Sequence, residues 1–401
     1  MPILKNYDYF FGAHCETASV RHLLASLGVK SPHDHKPFSE AMLFGIGGGI
    51  SVLHFVFEYK GFPPHFYLGT RLASPTDDLL KNIFARLGLT MKNQQAANPK
   101  QAAAQLVAAL ERGQPAMVWA DTASLKYNAL ERNPFGGVAL PVVVFGYDEK
   151  ANAVHIADRA RVPLKCTLKE FADARARAKN RLLTLAAPKK LPNLNAAILA
   201  GIRDSAAVML RGPKRGPKPN FGLAALAKWA DLLTNPKDKK GWANVFARAD
   251  YFYAALQTTY AYIETTGAGG AARGLYADFL DEASDALNKP KLKVAAALYR
   301  NSAKQWRALA HAALPKSVAQ FRETRELLER KHDLFLRRGN AALGEMQKIS
   351  ARMDALRAEI KKEPPLSDTQ LTDLRENLRE HILRVHAAES DAVRALNAVI
   401  K

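Results

Sequence analysis

Two runs of apolar residues near the C-terminus constrain the fold of this 401-residue chain more than any other feature. Ala342, Met346, Ile349, Met353, Leu356 and Ile360 recur at 4-3-4-3-4 spacing, and after EPPLS a similar pattern runs through Leu371, Leu374, Leu378, Ile382 and Val385. Such spacing lines one face of an α-helix, which a strand cannot do. Ser367 and Gln370 form a capping box at the second helix start. Two heptad-patterned helices joined by a short proline turn predict a long antiparallel coiled-coil hairpin over residues 316–401. Its seam serves either the protein's own core or contact with a partner or a second copy.

Upstream the pattern changes twice. Residues 1–188 mix helix and strand signals. Thr17–Leu27 carries Val20, Leu23, Leu24 and Leu27 on one helical face, with Gly28 as a stop. Ile50–Phe57 is rich in the β-branched and aromatic residues that strands favour. DDLLKNIFARLG (77–88) and about 100–112 read as helices, AMVWA (116–120) as a buried strand, and PVVVFGYDEKANAVHIAD (141–158) as a hairpin around a polar turn. A helix near 168–178 and RLLTLAA (181–187) close this region. At APKKLPNLN (187–195) prolines and lysines interrupt the apolar pattern. Residues 189–315 are helical almost throughout, apart from the basic loop RGPKRGPKPN (211–220). The expected architecture is α+β: one domain over 1–188, a helical domain over 189–315, then the hairpin.

The formal net charge of +20 is concentrated in one stretch. Residues 151–250 carry 20 Lys+Arg against 7 Asp+Glu, or +13; residues 1–150 carry 14 against 12, or +2, and residues 251–401 carry 24 against 19, or +5. Such a field attracts polyanions, although no nucleic-acid-binding motif accompanies it. Two cysteines build no disulfide framework, which favours a reducing compartment. The opening MPILKNYDYFFGAHC lacks the basic-then-apolar order of a signal peptide, and no apolar run approaches the roughly 18 residues of a membrane span. A cytoplasmic protein is expected.

Reactive chemistry centres on FGAHCETASVRHLL (11–24). Cys15 precedes an amphipathic helix, whose unpaired first-turn amides stabilise a thiolate. A nucleophilic thiolate also needs a base, and the base an orienting group. Papain-like enzymes supply these from a late strand hairpin, in the order Cys, His, Asp or Asn, which directs attention to 141–158. His14 adjoins Cys15, but neighbours at a helix start diverge in direction. His155 lies three residues from Asp158, so strand alternation turns it to the other face. His35, His54 and His65 have no place that the sequence determines. Gly45, Gly47, Gly48 and Gly49 lack the setting and the Lys-Ser/Thr of a P-loop; they suit close backbone approach to the cysteine or an acyl chain. Cys166 reads as structural. No Cys/His set has zinc spacing, and no G-x-S-x-G supports a serine triad.

Taken in order, HCETASVRHLLASLG (14–28), FSEAMLFGIGGGI (38–50), YLGTR (67–71) and VVVFGYDEKANAVHIADRA (142–160) resemble the N-terminal domain of the BtrH family of butirosin-pathway aminoacyltransferases, within the wider papain-like cysteine peptidase group. FGLAALAKWAD (221–231) and GGAARGLYADFLDEA (269–283) look like the helical domain that often follows it. The resemblance implies a papain-like fold and acyl transfer. An acyl group arrives as a thioester on the phosphopantetheine arm of an acyl carrier protein, passes to the cysteine, and then moves to an amine or hydroxyl acceptor. Cys15 matches the family's nucleophile and Asp158 its hairpin acid. Gly45, Gly47, Gly48, Gly49, Arg71 and Tyr127 are the expected substrate-binding residues, with no resident cofactor or metal. Carrier proteins are typically acidic, which suits the +13 stretch.

One departure matters. The family starts the first hairpin strand with a histidine six residues before the glycine of GYD; here that glycine is Gly146 and the residue is Leu140. Two expectations remain: a cysteine acyltransferase whose base comes from elsewhere, or a non-catalytic descendant that binds a carrier protein or pathway enzyme as a scaffold.

Overall fold

The computed structural model describes residues 2–71, 78–130, 138–213 and 216–400, without the side chains of Arg71 and Ile400. In chain order the elements begin α1 (Cys15–Ser26), α2 (Glu40–Ile46), β1 (Ile50–Phe57), β2 (His65–Arg71), α3 (Asp78–Arg86), β3 (Thr90–Gln94), α4 (Pro99–Glu111) and β4 (Ala116–Asp121). Next come β5 (Ala139–Asp148), β6 (Ala153–Ala157), β7 (Leu164–Cys166), α5 (Leu168–Ala176) and β8 (Leu182–Ala186). The rest is helical: α6 (Leu194–Arg211), α7 (Gly222–Thr234), α8 (Trp242–Val245), α9 (Ala249–Glu264), α10 (Arg273–Leu287), α11 (Lys291–Ala313), α12 (Ala319–Arg338), α13 (Leu343–Lys362) and α14 (Asp368–Ile400). Lys214 and Arg215 of the basic loop lie outside the described residues. The α+β class expected from the sequence is the one observed. Two units interleave along the chain: Met1–Leu43 with Phe84–Leu194 and Arg330–Ala351, and Phe44–Ile83 with Asn195–Glu329 and Arg352–Lys401.

The first unit is built on a six-stranded antiparallel sheet in the order β3-β8-β4-β5-β6-β7. All six residues of β4 and Pro141–Tyr147 of β5 are buried. Helices cover these central strands, which is why they read as continuous apolar runs rather than alternating ones; α1 packs on β4 and β5, with α4 and α5 also on the sheet. The β5–β6 hairpin turns as expected, with the Asp148 carboxylate accepting the Ala151 N–H at 3.0 Å and Asn152 in the left-handed region. Residues 2–4 bond back to Phe145 and Tyr147 of β5. α5 starts on a reciprocal capping box between Thr167 and Glu170.

The second unit is mostly helical, with the β1–β2 ladder packed on α7 and α9. Its core holds Trp229, Trp242, Trp306, Tyr276 and Tyr299. At its centre Arg273 and Glu389 form an ion pair with neither side chain exposed, Nε to Oε1 at 2.6 Å. The guanidinium also donates to the carbonyls of Ser51, Thr70 and Ala271, while Glu389 Oε1 accepts from Ser302 Oγ and Trp306 Nε1 at 2.7 and 2.8 Å. Arg273 thereby joins both short strands to α10 and α14.

Both heptad-patterned segments are helical, and Met346, Ile349, Leu356, Ile360, Leu374, Leu378, Ile382 and Val385 are buried. The capping box forms in both directions, Ser367 N–H to Gln370 Oε1 at 2.9 Å and Gln370 N–H to Ser367 Oγ at 3.3 Å. A heptad stripe specifies which face is buried, not which neighbour covers it. Arg338–Glu345 and Lys331–Ser350 in the first unit, and Arg352–Glu323 in the second, show α13 running back along α12, while α14 packs on α11 and α7. Among the described residues no helix is long and apolar enough to cross a membrane.

Two buried histidines make the fold acid-sensitive. His54, packed near Phe66 and Trp229, is pushed down to about 4 by burial and then by Lys228. His22 is likewise pushed down to about 4, again mainly by burial. Unfolded histidine takes up a proton near pH 6.5, so stability is intact above that value and is lost as pH falls toward 4, by about 3 kcal/mol for each histidine. Urea midpoints measured between pH 7 and pH 4 should fall for the parent chain, and His54→Phe should flatten part of that decline.

Candidate active site

The segment before α1 is held from several sides. Arg21 donates to the Phe10 and Phe11 carbonyls at 2.9 and 2.5 Å, and His22 Nε2 donates to the Phe11 carbonyl at 3.0 Å. The Phe11 N–H bonds the Ala160 carbonyl at 2.8 Å, and the Gly12 N–H bonds that of Arg159 at 3.3 Å. These bonds hold Phe11 at φ +65°, an unusual conformation for a side-chain-bearing residue. They also set the start of α1 beside the turn that follows β6. Gly12 is required there, because a Cβ would sit 2.0 Å from that of Ala18.

His14 is the N-cap of α1, with extended φ and ψ of −132° and 123°. It therefore does not follow the helical direction of Cys15, and the divergence argued from sequence does not apply. A His14 ring nitrogen, the Cys15 sulfur and a Glu16 carboxylate oxygen all lie within 4.8 Å of one another. His14 Nδ1 is 3.0 Å from Thr17 Oγ1, and Nε2 is 3.4 Å from Glu16 Oε2. The Thr17 hydroxyl donates to Glu40 Oε1 at 3.0 Å, so its oxygen can accept from the His14 ring when Nδ1 carries a proton. Glu40, from α2, also accepts the Ala13 and His14 N–H groups at 2.9 and 2.7 Å. Burial raises the Glu40 carboxyl above its ordinary value, against the pull of these donors. A thiol, an imidazole and a carboxylate are thus brought together, the last two linked through a threonine.

Asp158, buried after β6, faces a different partner from the one expected. Its Oδ1 accepts from the Arg159 backbone N–H and Nε at 2.7 and 3.2 Å, and Oδ2 accepts from the Tyr127 hydroxyl at 3.4 Å. It orients an arginine, not a histidine. Burial works against the Arg159 charge, but the Asp158 carboxylate and the Cys15 sulfur outweigh it and hold the guanidinium above its ordinary value. The cation and the helix N-terminus both favour thiolate at Cys15.

Other expected site residues are placed elsewhere. Tyr127 is 1% exposed, stacked on Phe335 and bonded to Asp158. The glycine cluster lies in the second unit, where the chain itself fills the space that missing side chains leave. A Cβ on Gly45 would lie 2.1 Å from the Phe279 ring, on Gly47 2.4 Å from Leu79, on Gly48 2.9 Å from Asp204, and on Gly49 2.5 Å from the Phe44 carbonyl. What approaches these backbones closely here is the chain itself, from α2, α3, α6 and α10. Arg71 ends β2 opposite Ile50, and its side chain lies outside the described residues. Leu140 sits on β5 opposite Ala120, next to Pro141, whose carbonyl accepts from Ser19 Oγ of α1. His155 is against Phe145 and Gly146, His54 is in the second unit's core, and His65 pairs with Phe57. His35 is an exposed turn residue. Burial pushes the Cys166 thiol far up, so it remains protonated. No spacing rule points to Glu40 or Arg159; the carboxylate in FSEAM and the arginine beside Asp158 are their only traces in the sequence.

His14, Cys15 and Glu16 could together offer nitrogen, sulfur and oxygen to a metal ion. The helix N-terminus and Arg159 oppose a cation at that spot.

The Cys15 thiol thus lies at the N-terminus of a helix packed on an antiparallel sheet, beside residues that follow the β5–β6 hairpin. Residues 14–159 match the family described as butirosin biosynthesis protein H, N-terminal, and residues 169–334 match a domain of unknown function, DUF4872. A solved structure described as a C39-like peptidase from Bacillus anthracis is similar at 14% identity, covering 47% of this chain and 98% of that one with a TM-score of 0.31. No curated protein matches.

Proposed function

We propose that the protein is a cysteine acyltransferase that takes an acyl group from a carrier-protein thioester. The observation that carries this reading is the His14 nitrogen within 4.8 Å of the Cys15 sulfur, with the imidazole tied through Thr17 to Glu40. His14 takes the Cys15 proton, and the thiolate attacks the thioester carbonyl. The carbon–sulfur bond to the phosphopantetheine arm breaks, and the departing thiol takes the proton from His14. An amine or hydroxyl acceptor then loses its proton to His14 and attacks the acyl-cysteine, giving amide or ester and restoring the Cys15 thiol. With water as acceptor the same chemistry is hydrolysis. The +13 charge of residues 151–250 suits an acidic carrier protein, and two free thiols suit a reducing cytoplasm.

Leu140 in place of a strand histidine favours a second reading, a scaffold that binds a carrier protein without turnover. Incubation with carrier protein bearing several different acyl groups separates the two. Intact mass should show one acyl adduct on the parent chain and none on Cys15→Ala. Stable complex formation with no adduct from any acyl group would establish the scaffold reading instead.

A further inference from the structure

We infer that Phe335, from the C-terminal half of α12, is a positioning residue that holds the Arg159 guanidinium toward Cys15. The guanidinium carbon of Arg159 lies 5.0 Å from the Phe335 ring centroid, within cation–π range. The other face of the arrangement is closed by Tyr127, whose ring stacks on Phe335 at 6.4 Å and whose hydroxyl reaches the Asp158 carboxylate that grips Arg159. The helix is anchored on both flanks. The Arg161 N–H bonds the Leu336 carbonyl at 2.8 Å, and Lys331 Nζ donates to the Ala129 carbonyl at 2.8 Å. His332, three residues before Phe335 on the same helical face, is held below its ordinary value by burial and then by the Arg159 charge. Phe335 is 7% exposed. Were packing its whole purpose, an aliphatic residue would serve; a ring over a guanidinium does more, because it fixes the plane of the cation.

The inference rests on Cys15 acting as a thiolate, and its test needs no acyl substrate. The titratable and charged groups around the thiol and Arg159 are His14 and Glu16 beside Cys15, Glu40 on the His14 N–H, Asp158 on the guanidinium, and His332 from α12, which feels the Arg159 charge. The rate of Cys15 alkylation by iodoacetamide is measured against pH on the full chain, with the modified residue identified by peptide mass. Phe335→Leu should raise the apparent thiol pKa by about half a unit, slowing alkylation about threefold below that pKa, and Phe335→Tyr should restore the parent profile. Arg159→Gln should raise it further, and Phe335→Leu should add nothing in that background. An unchanged profile in Phe335→Leu beside a shifted one in Arg159→Gln would reduce Phe335 to packing. No shift in Arg159→Gln would remove the guanidinium from the thiol's field and overturn the inference. Shifts as expected in a chain that forms no acyl adduct would leave the positioning role standing and count against acyl transfer alone.

Discussion

His14→Ala should slow acylation of Cys15 by about 10²- to 10⁴-fold at neutral pH, the usual contribution of a positioned general base. The His14 side chain makes no capping bond to α1, so its removal does not cost the helix its start. What is lost is the acceptor for the thiol proton. The defect should therefore shrink as pH rises past the ordinary thiol value of about 8.5, where thiolate exists without help. Glu40→Gln should show a smaller loss, because the amide retains the shape but places a donor where Thr17 and two backbone N–H groups all donate. If Cys15 is acylated as proposed, the parent chain should also react more slowly on the acid side, above the ordinary carboxylate range, as the raised Glu40 carboxyl takes up a proton. Glu40→Gln should lack that step. Single-turnover acylation across pH compares both variants with the parent; a His14→Ala rate within threefold of the parent would mean that the base lies elsewhere.

The largest effect on stability is expected at Arg273. Truncation to alanine leaves Glu389 charged, fully buried and facing only Ser302 and Trp306, while the carbonyls of Ser51 and Thr70 lose their donor. Breaking one side of such a pair costs about 3–5 kcal/mol, enough to unfold many domains. Pairing Arg273→Met with Glu389→Leu should recover a large share, because the uncompensated charge is gone. Guanidinium midpoints of the single and double variants measure the difference. Equal losses in both would assign the cost to the strand carbonyls and not to the stranded carboxylate.

Local signals made much of the fold legible. The period of α1, the polar turn between β5 and β6, the buried run of β4 and the Ser367–Gln370 box are all short-range statements of geometry. The place of β8 between β3 and β4 is not, because that pairing joins distant segments and leaves no local mark. The site divides along the same line. Cys15 and Asp158 were visible as a helix-start thiol and a hairpin acid. His14 was set aside because it was treated as part of the helix, whereas a cap residue has strand-like dihedrals and can turn its ring back over its neighbour. Glu40 bonds 26 residues away, and no spacing rule connects it to His14. The glycines at 45–49 do signal close approach, but sequence does not say what approaches; Phe279, Leu79 and Asp204 come from later elements of their unit.

The interleaving of the two units also bears on how the protein can be cut. Residues 330–351 belong to the same unit as α1 and its sheet, although residues 195–329, between them in sequence, belong to the other unit. Neither unit is therefore one contiguous stretch, and no single fragment carries the sheet with all of its contacts. A fragment that stops before α12 would leave Arg159 without the Phe335 ring.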